Sequence, residues 1–229
     1  MKRFLFMMIV AVIALPLPAQ VKEGTISVSA RENVVNRLPK DIAYIFPEFS
    51  DATVYYKDDR FSNGCLNICL LDRTLRYVEN GDTLRILNQN DVRELVLADT
   101  SYRCMSSCVI KVISESDGSL LAQRFRLTLS EEKDDAGYSS LPATSTAVSA
   151  NVGRLDPSRS LDTKADYSYK HERDFVLVSG DKIYPAKQSA FTRLFPDKKK
   201  EIKAYVKENK INFNSQPDLA SLFEFCAIN

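Results

Sequence analysis

The chain has 229 residues and a nearly balanced charge, with 31 basic and 30 acidic side chains and a formal net charge of +1 at pH 7. Because binding to the phosphates of DNA or RNA needs a clear basic excess, this balance argues against nucleic acid as a partner. The length is sufficient for one domain with a sizeable core or for two small ones.

The first nineteen residues have the pattern of a secretory signal peptide. Two basic residues precede an apolar run from Phe4 to about Leu17, and Ala19 offers a small side chain at a plausible cleavage point. A retained membrane anchor is the alternative, but the run is short for a helical span of about 20 residues and it contains Pro16. We therefore predict that residues 1–19 are removed and that the protein is exported to the periplasm or the cell surface.

Cleavage would change the charge only slightly. Removing Lys2 and Arg3 from the 31 basic residues leaves 29 against 30 acidic ones, a net charge of −1. No later segment is apolar and long enough to cross a membrane as a helix. The sequence therefore predicts no transmembrane segment after signal-peptide cleavage and no nucleic acid partner.

Residues 20–130 are expected to form a β-rich region, because short alternating or apolar segments recur there and turn residues separate them. The predicted strands are 25–29, 53–57, 65–71, 74–79, 82–87, 92–98, 102–114 and 119–130. Their even spacing and short connections predict an antiparallel meander, arranged as a sandwich or a partial barrel.

The strongest local signal is Asn80-Gly81, which lies between two alternating segments. Both residues readily adopt the positive φ that a type I′ turn requires. A two-residue loop places Leu75 and Tyr77 on one face with Leu84 and Ile86, whereas a three-residue loop would place them beside mostly polar side chains. Register follows the better apolar face, so we expect the two-residue loop. The expected core residues of the region are Tyr77, Leu84, Ile86, Phe125 and Leu127.

Residues 131–165 are predicted to form a flexible linker or loop. A charged run at 131–135 is followed by Ser, Thr, Ala, Gly and Pro with few large apolar side chains. A segment of this length without periodicity is unusual inside a compact domain. We expect it to separate the β-rich region from a C-terminal region and to be cut first by proteases.

Residues 166–229 are expected to form a β-hairpin and two helices docked on the β-rich region. The hairpin has strands at 175–178 and 182–185 around Gly180, and a first helix runs from a cap at Asp197 to about residue 209. Ser215 and Asp218 have capping-box spacing at the start of a second helix. The apolar stripe of that second helix is Leu219, Leu222, Phe223 and Cys226. The expected fold is therefore mainly β (α+β), with two C-terminal helices packed on the sheet.

The lysine-rich first helix has two interpretations. A basic amphipathic helix can lie on anionic lipid, but its apolar face consists only of Ile202, Tyr205 and Val206. So narrow a face suits docking on a sheet better than membrane binding, and docking is our expectation.

The stretch from Leu194 to Phe213, LFPDKKKEIKAYVKENKINF, followed by Asp218-Leu219, resembles the tail of a family of small uncharacterised exported proteins of Bacteroidetes-type bacteria. The resemblance extends to 53–56, Leu66-Asn67 and 80–84, and it covers about residues 45–130 and 170–225. It implies an exported protein of this fold and supplies no site, since the family has no assigned activity. The strand cysteines and the Ser/Thr-rich linker are not features of that family.

Five cysteines occur, and four of them lie in predicted strands as the pairs Cys65/Cys69 and Cys104/Cys108. Within either pair the Cα atoms would be about 13 Å apart on one strand, which is too far for a disulfide. The sequence therefore leaves two alternatives, a disulfide between the two strands or reduced, half-buried thiols. Cys226 belongs to an apolar helix stripe and is expected to act as a small hydrophobic residue.

Candidate catalytic residues are scarce. His171 is the only histidine, and no GxSxG or similar motif supplies a nucleophile for it, so we expect a partly exposed strand residue. Acidic residues cluster in turns and in 131–135, where solvated loop charge is the simpler interpretation. The sequence indicates no catalytic, cofactor-binding or metal-binding residue, and no cofactor.

Two functions remain open on the sequence. The favoured one is a non-catalytic exported module that binds an unknown envelope protein or glycan or has a structural role. The alternative is a carboxylate-dependent hydrolase acting on envelope material. Tyr55, Tyr56 and Tyr102 could form an aromatic ligand platform, although strand tyrosines are more often ordinary sheet residues. A cleft with two carboxylates about 5–10 Å apart, one of them buried, would favour the enzyme. A flat or shallow apolar patch of several hundred Å² without such a pair would favour binding.

Overall fold

The computed structural model describes residues 21–30, 32–97, 99–132 and 165–227, and this part of the chain is mainly β. Its strands form one open antiparallel sheet. They are β1 Val21–Val28, β2 Ser50–Tyr56, β3 Phe61–Cys69, β4 Thr74–Glu79, β5 Asp82–Arg85, β6 Val92–Leu97, β7 Thr100–Cys104, β8 Val109–Ser116, β9 Ser119–Glu132, β10 Ala165–Ser179 and β11 Lys182–Pro185.

The spatial order of the strands is β1-β10-β9-β8-β7-β6-β2-β3-β4-β5, and β11 pairs with β10 as well. The meander is thus sequential from β6 to β10, whereas β2 lies between β6 and β3. The N-terminal strand β1 closes one edge by pairing with β10, and the short strand β5 forms the opposite edge. The predicted antiparallel fold is confirmed.

Tight turns with positive φ join neighbouring strands. Asn80 and Gly81 have φ values of 52° and 88°, and Glu79 faces Asp82 across them. The predicted two-residue loop and its register are therefore confirmed. A second turn of the same kind at Asp117-Gly118, with φ values of 46° and 73°, joins β8 to β9.

One predicted strand is wrong. The segment 102–114 is not continuous, because the chain turns between β7 and β8, where the Met105 N–H donates to the Cys108 carbonyl at 2.8 Å. Ser106 and Ser107 are turn-compatible residues, but the segment contains no Gly, Pro, Asn or Asp, so the turn signal is weak and the predicted strand continues through it. As a result Cys104 and Cys108 lie at the two ends of a turn, and the 13 Å separation assumed for one strand does not apply to them.

Five helices complete the described chain: α1 Val34–Arg37, α2 Lys40–Ala43, α3 Gln188–Leu194, α4 Lys199–Glu208 and α5 Gln216–Ala227. α4 and α5 are the two predicted C-terminal helices, and α3 was not predicted. Asp197 does not cap α4, because it lies in a 3₁₀ turn, Pro196–Lys198, before that helix. The capping box at α5 is half formed: the Asp218 N–H donates to Ser215 Oγ at 3.4 Å, while the Asp218 carboxylate accepts the Asn212 N–H.

Two apolar clusters lie on one face of the sheet. In β9, Leu121 packs with α3–α5, whereas Phe125, Leu127 and Leu129 pack with α1, α2 and the β2–β7 strands. β9 pairs with β10 without a bulge, so these alternate residues share one face. Within the helical cluster, Phe223 is 1% exposed and meets the Phe195 ring edge to face at 6.0 Å between centroids.

The opposite face of the central strands carries a third, smaller cluster. Its buried members alternate with those of the other face and are Cys108, Ile110, Leu120, Ala122, Val176 and Val178. Beside it the Arg124 guanidinium donates to the Asp174 carboxylate, with Nε to Oδ1 at 2.8 Å. This ion pair ties β9 to β10 in the middle of the sheet.

The predicted core residues have mixed outcomes. Phe125, Leu127, Leu222 and Phe223 are buried, and Tyr77 and Ile86 are partly buried against the main cluster. Leu84 is 38% exposed, so its assignment to the core is wrong. The reason is that Leu84 lies on the edge strand β5, all four residues of which are exposed.

Several predictions concern residues outside the described ranges. The signal peptide at residues 1–19 lies there, as does 133–164 of the predicted linker. Glu131 and Glu132 end β9 and Ala165 begins β10, so these three residues are strand and not linker. No helix in the described ranges is long and apolar enough to span a membrane.

Candidate functional site

One edge of β3 is only partly covered by β4. Only the second half of β3 pairs with β4, from Leu66↔Tyr77 to Cys69↔Thr74. The first half, from Phe61 to Cys65, pairs with β2 alone, and all five of its residues are exposed. β4 ends at Glu79, which the register places opposite Gly64, so the β4–β5 hairpin does not cover the start of β3. In the described chain this stretch therefore has one edge without a strand partner.

An open groove of about 870 Å³ lies beside the start of this stretch, where Phe61 and Ser62 of β3 line it, and we call it the β3–β4 groove. One wall comes from the end of β2 and the start of β3, and the other from β4, β5 and the turn that follows. Its apolar and aromatic lining is Tyr56, Phe61, Tyr77, Leu84, Ile86 and Leu87. Its charged lining is Arg60, Arg85 and Asp91.

The groove concentrates the exposed apolar surface of the described chain. Phe61 is 64% exposed, Leu87 is 85% exposed and Leu84 is 38% exposed, and among the described residues only Val21 and Val78 join them as exposed large hydrophobic side chains. A single exposed apolar residue needs no explanation. Several around one concave surface make this groove the candidate binding surface of the described chain.

The groove side chains are positioned by strand and turn contacts. The Tyr56 hydroxyl and Ser62 Oγ are hydrogen-bonded at 3.1 Å, which joins β2 to β3 at the groove wall. The Arg60 guanidinium lies over the Tyr56 ring, 5.6 Å from its centroid, and Arg60 Nε donates to Asp58 at 2.7 Å. This wall is therefore held in place before any ligand binds.

The charged side chains of the groove differ in whether they have an ion-pair partner. Arg60 is ion-paired with Asp58, whereas Arg85 has no ion pair or hydrogen bond to any described side chain. Asp91 is the one carboxylate that lines the groove. Among the described residues the groove thus presents a cation without a partner close to exposed apolar side chains. Its described lining has one carboxylate, whereas a glycosidase needs two.

Of the three tyrosines proposed as a platform, only Tyr56 lines the groove. Tyr55 instead contacts the Phe61 ring at 6.4 Å between centroids and lies under Arg93. Tyr102 is 4% exposed and packs edge to face on Phe46 at 6.1 Å, so it belongs to the core.

A second groove, polar and about 680 Å³ in volume, contains two carboxylates, Asp72 and Glu115. Asp72 accepts hydrogen bonds from Thr74 and Arg76, and Glu115 accepts from Arg103 at 2.7 Å. Because arginines occupy both carboxylates, neither is available as it stands to act as a general acid or base.

The buried histidine contradicts the expectation of a partly exposed residue. His171 is 1% exposed and lies between Lys22 of β1 and Leu127 of β9. Its Nε2 is buried without a hydrogen-bond partner. Burial, followed by the charges of Arg173 and Lys22, lowers the pKa of His171 to about 4, while Asp41 opposes this shift. The histidine is therefore neutral at pH 7.

All five cysteines are free thiols in the structure. β3 and β7 are separated by β2 and β6, so Cys65 and Cys69 are not on a strand adjacent to Cys104. A disulfide among Cys65, Cys69, Cys104 and Cys108 in an oxidising compartment stays a prediction, which a thiol count on the purified protein would test.

The buried thiols are poor nucleophiles. Burial raises the pKa of Cys69 and of Cys104 to about 12 and that of Cys226 to about 11, so these thiols stay protonated at neutral pH. Cys65 is the exposed one. The described residues contain no group of three or more His, Cys, Asp or Glu that could hold a metal ion.

The sequence did not single out Phe61, Leu84, Arg85 or Leu87 as site residues. One signal was available, since Leu87 is a large apolar residue directly before the polar run Asn88-Gln89-Asn90. Within the part of the chain that the structure describes, the candidate site is thus a shallow apolar groove with one unpaired arginine, next to an uncovered strand edge. Comparison of the chain with protein-family models, curated proteins and solved structures finds no match.

Proposed function

We propose that this protein is a non-catalytic exported module that binds an envelope protein or glycan in the β3–β4 groove. The observation that carries the proposal is the gathering of Phe61, Leu84 and Leu87, all exposed, around one concave surface. Covering these side chains on binding would remove apolar surface from water, which is favourable at about 25 cal/mol per Å².

Export is part of this proposal. It rests on the basic and apolar pattern of residues 1–19 and on the resemblance of the tail to small exported proteins. Mass spectrometry of the mature N-terminus tests it, since a chain that begins near Gln20 is expected and an intact Met1 on membrane-extracted protein would contradict it.

The test of the groove compares two variants. Phe61→Ser combined with Leu87→Ser removes the most exposed apolar groups of the groove, whereas Val21→Ser removes an exposed apolar side chain of β1 at the far edge of the sheet. Because all three positions are exposed, both variants should melt within a few degrees of the wild type.

Binding is measured on defined peptide and glycan arrays and as retention on an immobilised envelope fraction. The groove variant is expected to lose at least tenfold in affinity, and Val21→Ser to bind like the wild type. Equal binding by all three proteins would contradict the proposal.

The hydrolase alternative depends on the polar groove. If the purified protein turned over an envelope polysaccharide or peptide, and Asp72→Asn or Glu115→Gln abolished the turnover, the non-catalytic proposal would be wrong. The expected result is no turnover by the wild type.

A further inference from the structure

The main chain of β3 offers hydrogen-bonding groups along the groove. In antiparallel pairs, alternate residues direct both N–H and C=O to one neighbour or the other. The Tyr56 N–H donates to the Arg60 carbonyl at 2.9 Å, which makes the even-numbered residues of this part of β3 the ones that bond to β2. Phe61, Asn63 and Cys65 therefore direct their N–H and C=O groups toward the β4 side of the strand.

The described chain leaves these groups of β3 without a strand partner. The pairing with β4 stops at Leu66↔Tyr77, and the register predicts Val78 as the next partner, opposite Cys65. In the two-residue hairpin, Glu79 and Tyr77 bond to β5, so Val78 directs its main-chain groups back toward β3. Only Glu79 follows Val78 before the turn at Asn80-Gly81, so the first residues of β3 extend past the end of β4 and keep an open edge on that side.

The length and lining of this open edge restrict its occupant. Five strand residues span about 16 Å at about 3.3 Å each, which suits an extended peptide of similar length. Leu84 and Arg85 are neighbours in β5 and point to opposite faces of the sheet. Alternate side chains of such a peptide would therefore meet Leu84 on one face and Arg85, which has no ion pair among the described residues, on the other. A carboxylate on the peptide would complete a charge-assisted hydrogen bond to that arginine.

We propose that the β3–β4 groove binds an extended acidic peptide segment of a partner protein by strand addition to Phe61–Cys65, with Arg85 selecting the carboxylate. Main-chain hydrogen bonds supply affinity and the groove supplies side-chain selection, as in other strand-addition sites. The inference rests on the proposed function, because it names the ligand class of the same groove.

The first test probes the charge. Matched extended peptides alternate valine with glutamate, glutamine or lysine, and their affinity for the protein is measured by fluorescence polarisation. The wild type is expected to prefer the glutamate peptide by about tenfold or more, since one charge-assisted pair is sufficient for that ratio. Arg85→Glu should reverse the preference toward lysine, whereas Lys182→Glu on the distant strand β11 should leave it unchanged.

The second test probes the main chain. Two versions of the glutamate peptide carry N-methyl groups on opposite sets of alternate amides. Only one set of peptide N–H groups faces β3, so one version should lose at least tenfold in affinity while the other binds like the parent peptide. Equal behaviour of the two versions would overturn strand addition.

The remaining outcomes separate this inference from the proposed function. Suppose that the wild type binds a glycan but no peptide, and that the variant with Phe61→Ser and Leu87→Ser does not bind the glycan. This result would overturn the peptide inference and support the proposed binding function. Concentration-dependent dimerisation that Arg85→Glu abolishes, measured by sedimentation, would assign the edge to a second copy of the chain and also overturn the inference. Binding of neither class to the groove would contradict both.

Discussion

Acid should destabilise this protein through His171. The side chain is 1% exposed, and its pKa falls from 6.5 to about 4 in the folded chain. The unfolded chain therefore binds a proton at His171 below pH 6.5, whereas the folded chain binds it only near pH 4. The contribution of the neutral histidine to the free energy of unfolding is present in full above pH 6.5. It declines as the pH falls and is lost near pH 4.

The size of the effect follows from the shift. Each pKa unit corresponds to about 1.4 kcal/mol, so the full loss is about 3 kcal/mol, of which about 2 kcal/mol appears between pH 7 and pH 5. The charged groups near the histidine are Arg173 on its own strand, Lys22 on β1 and Asp41 on α2. Lys22 and Asp41 are ion-paired at 2.8 Å, so the carboxylate only partly offsets the two cations.

Urea unfolding at pH 7 and pH 5 measures this loss. The His171→Leu variant has no imidazole to protonate and places an apolar side chain beside Leu127. Between pH 7 and pH 5 the wild type should therefore lose about 2 kcal/mol more of its free energy of unfolding than this variant. Carboxylates titrate equally in both proteins, and the comparison cancels them. Parallel pH profiles for the two proteins would refute the role assigned to the buried imidazole.

Three further substitutions test the packing and the turns. Phe223→Ala should lower the free energy of unfolding by about 3–5 kcal/mol, and an unchanged melting curve would show that α5 does not dock on the sheet. Asn67→Leu should lower the free energy of unfolding by about 2–3 kcal/mol, because the buried amide donates to the Phe46 and Glu48 carbonyls at 2.7 and 3.1 Å. An unchanged stability in calorimetry would contradict this. Gly81→Val should lower the free energy of unfolding by about 1–2 kcal/mol through backbone strain at a φ of 88° alone, since no atom lies within 4 Å of an added Cβ. Thermal melts measure the loss, and Gly64→Val, at a glycine without positive φ, is the matched control.

Local chemistry explains which parts of the fold were predictable. The Asn80-Gly81 hairpin needs only two residues that accept positive φ and an alternating pattern on each side, so its register can be predicted from the sequence. The same applies to the amphipathic helices α4 and α5. The turn between Cys104 and Val109 has no such residues, and its formation depends on pairing of β7 with β8.

Other features depend on strand order and are not local. His171 is buried because β10 lies between β1 and β9, a placement that the sequence around it does not encode. Leu84 follows the alternation of a core residue and is nevertheless exposed, because β5 is the edge strand of the sheet and all four of its residues are exposed. The candidate groove depends on where that edge lies relative to β2 and β3, so residue patterns could predict its hairpin but not the site itself.

The exposed thiol of Cys65 permits a direct test of the central claim that the open stretch of β3 is the binding surface. Cys65 lies in the uncovered part of β3, and the other described cysteines are buried or half-buried. Its rate of alkylation by a maleimide is measured with reduced protein, free and saturated with the extended glutamate peptide. A Val21→Cys variant provides a control thiol on β1 at the far edge of the sheet. The account predicts that the bound peptide slows alkylation of Cys65 at least tenfold and leaves the control thiol unchanged; equal rates at Cys65 in the free and saturated protein would contradict it.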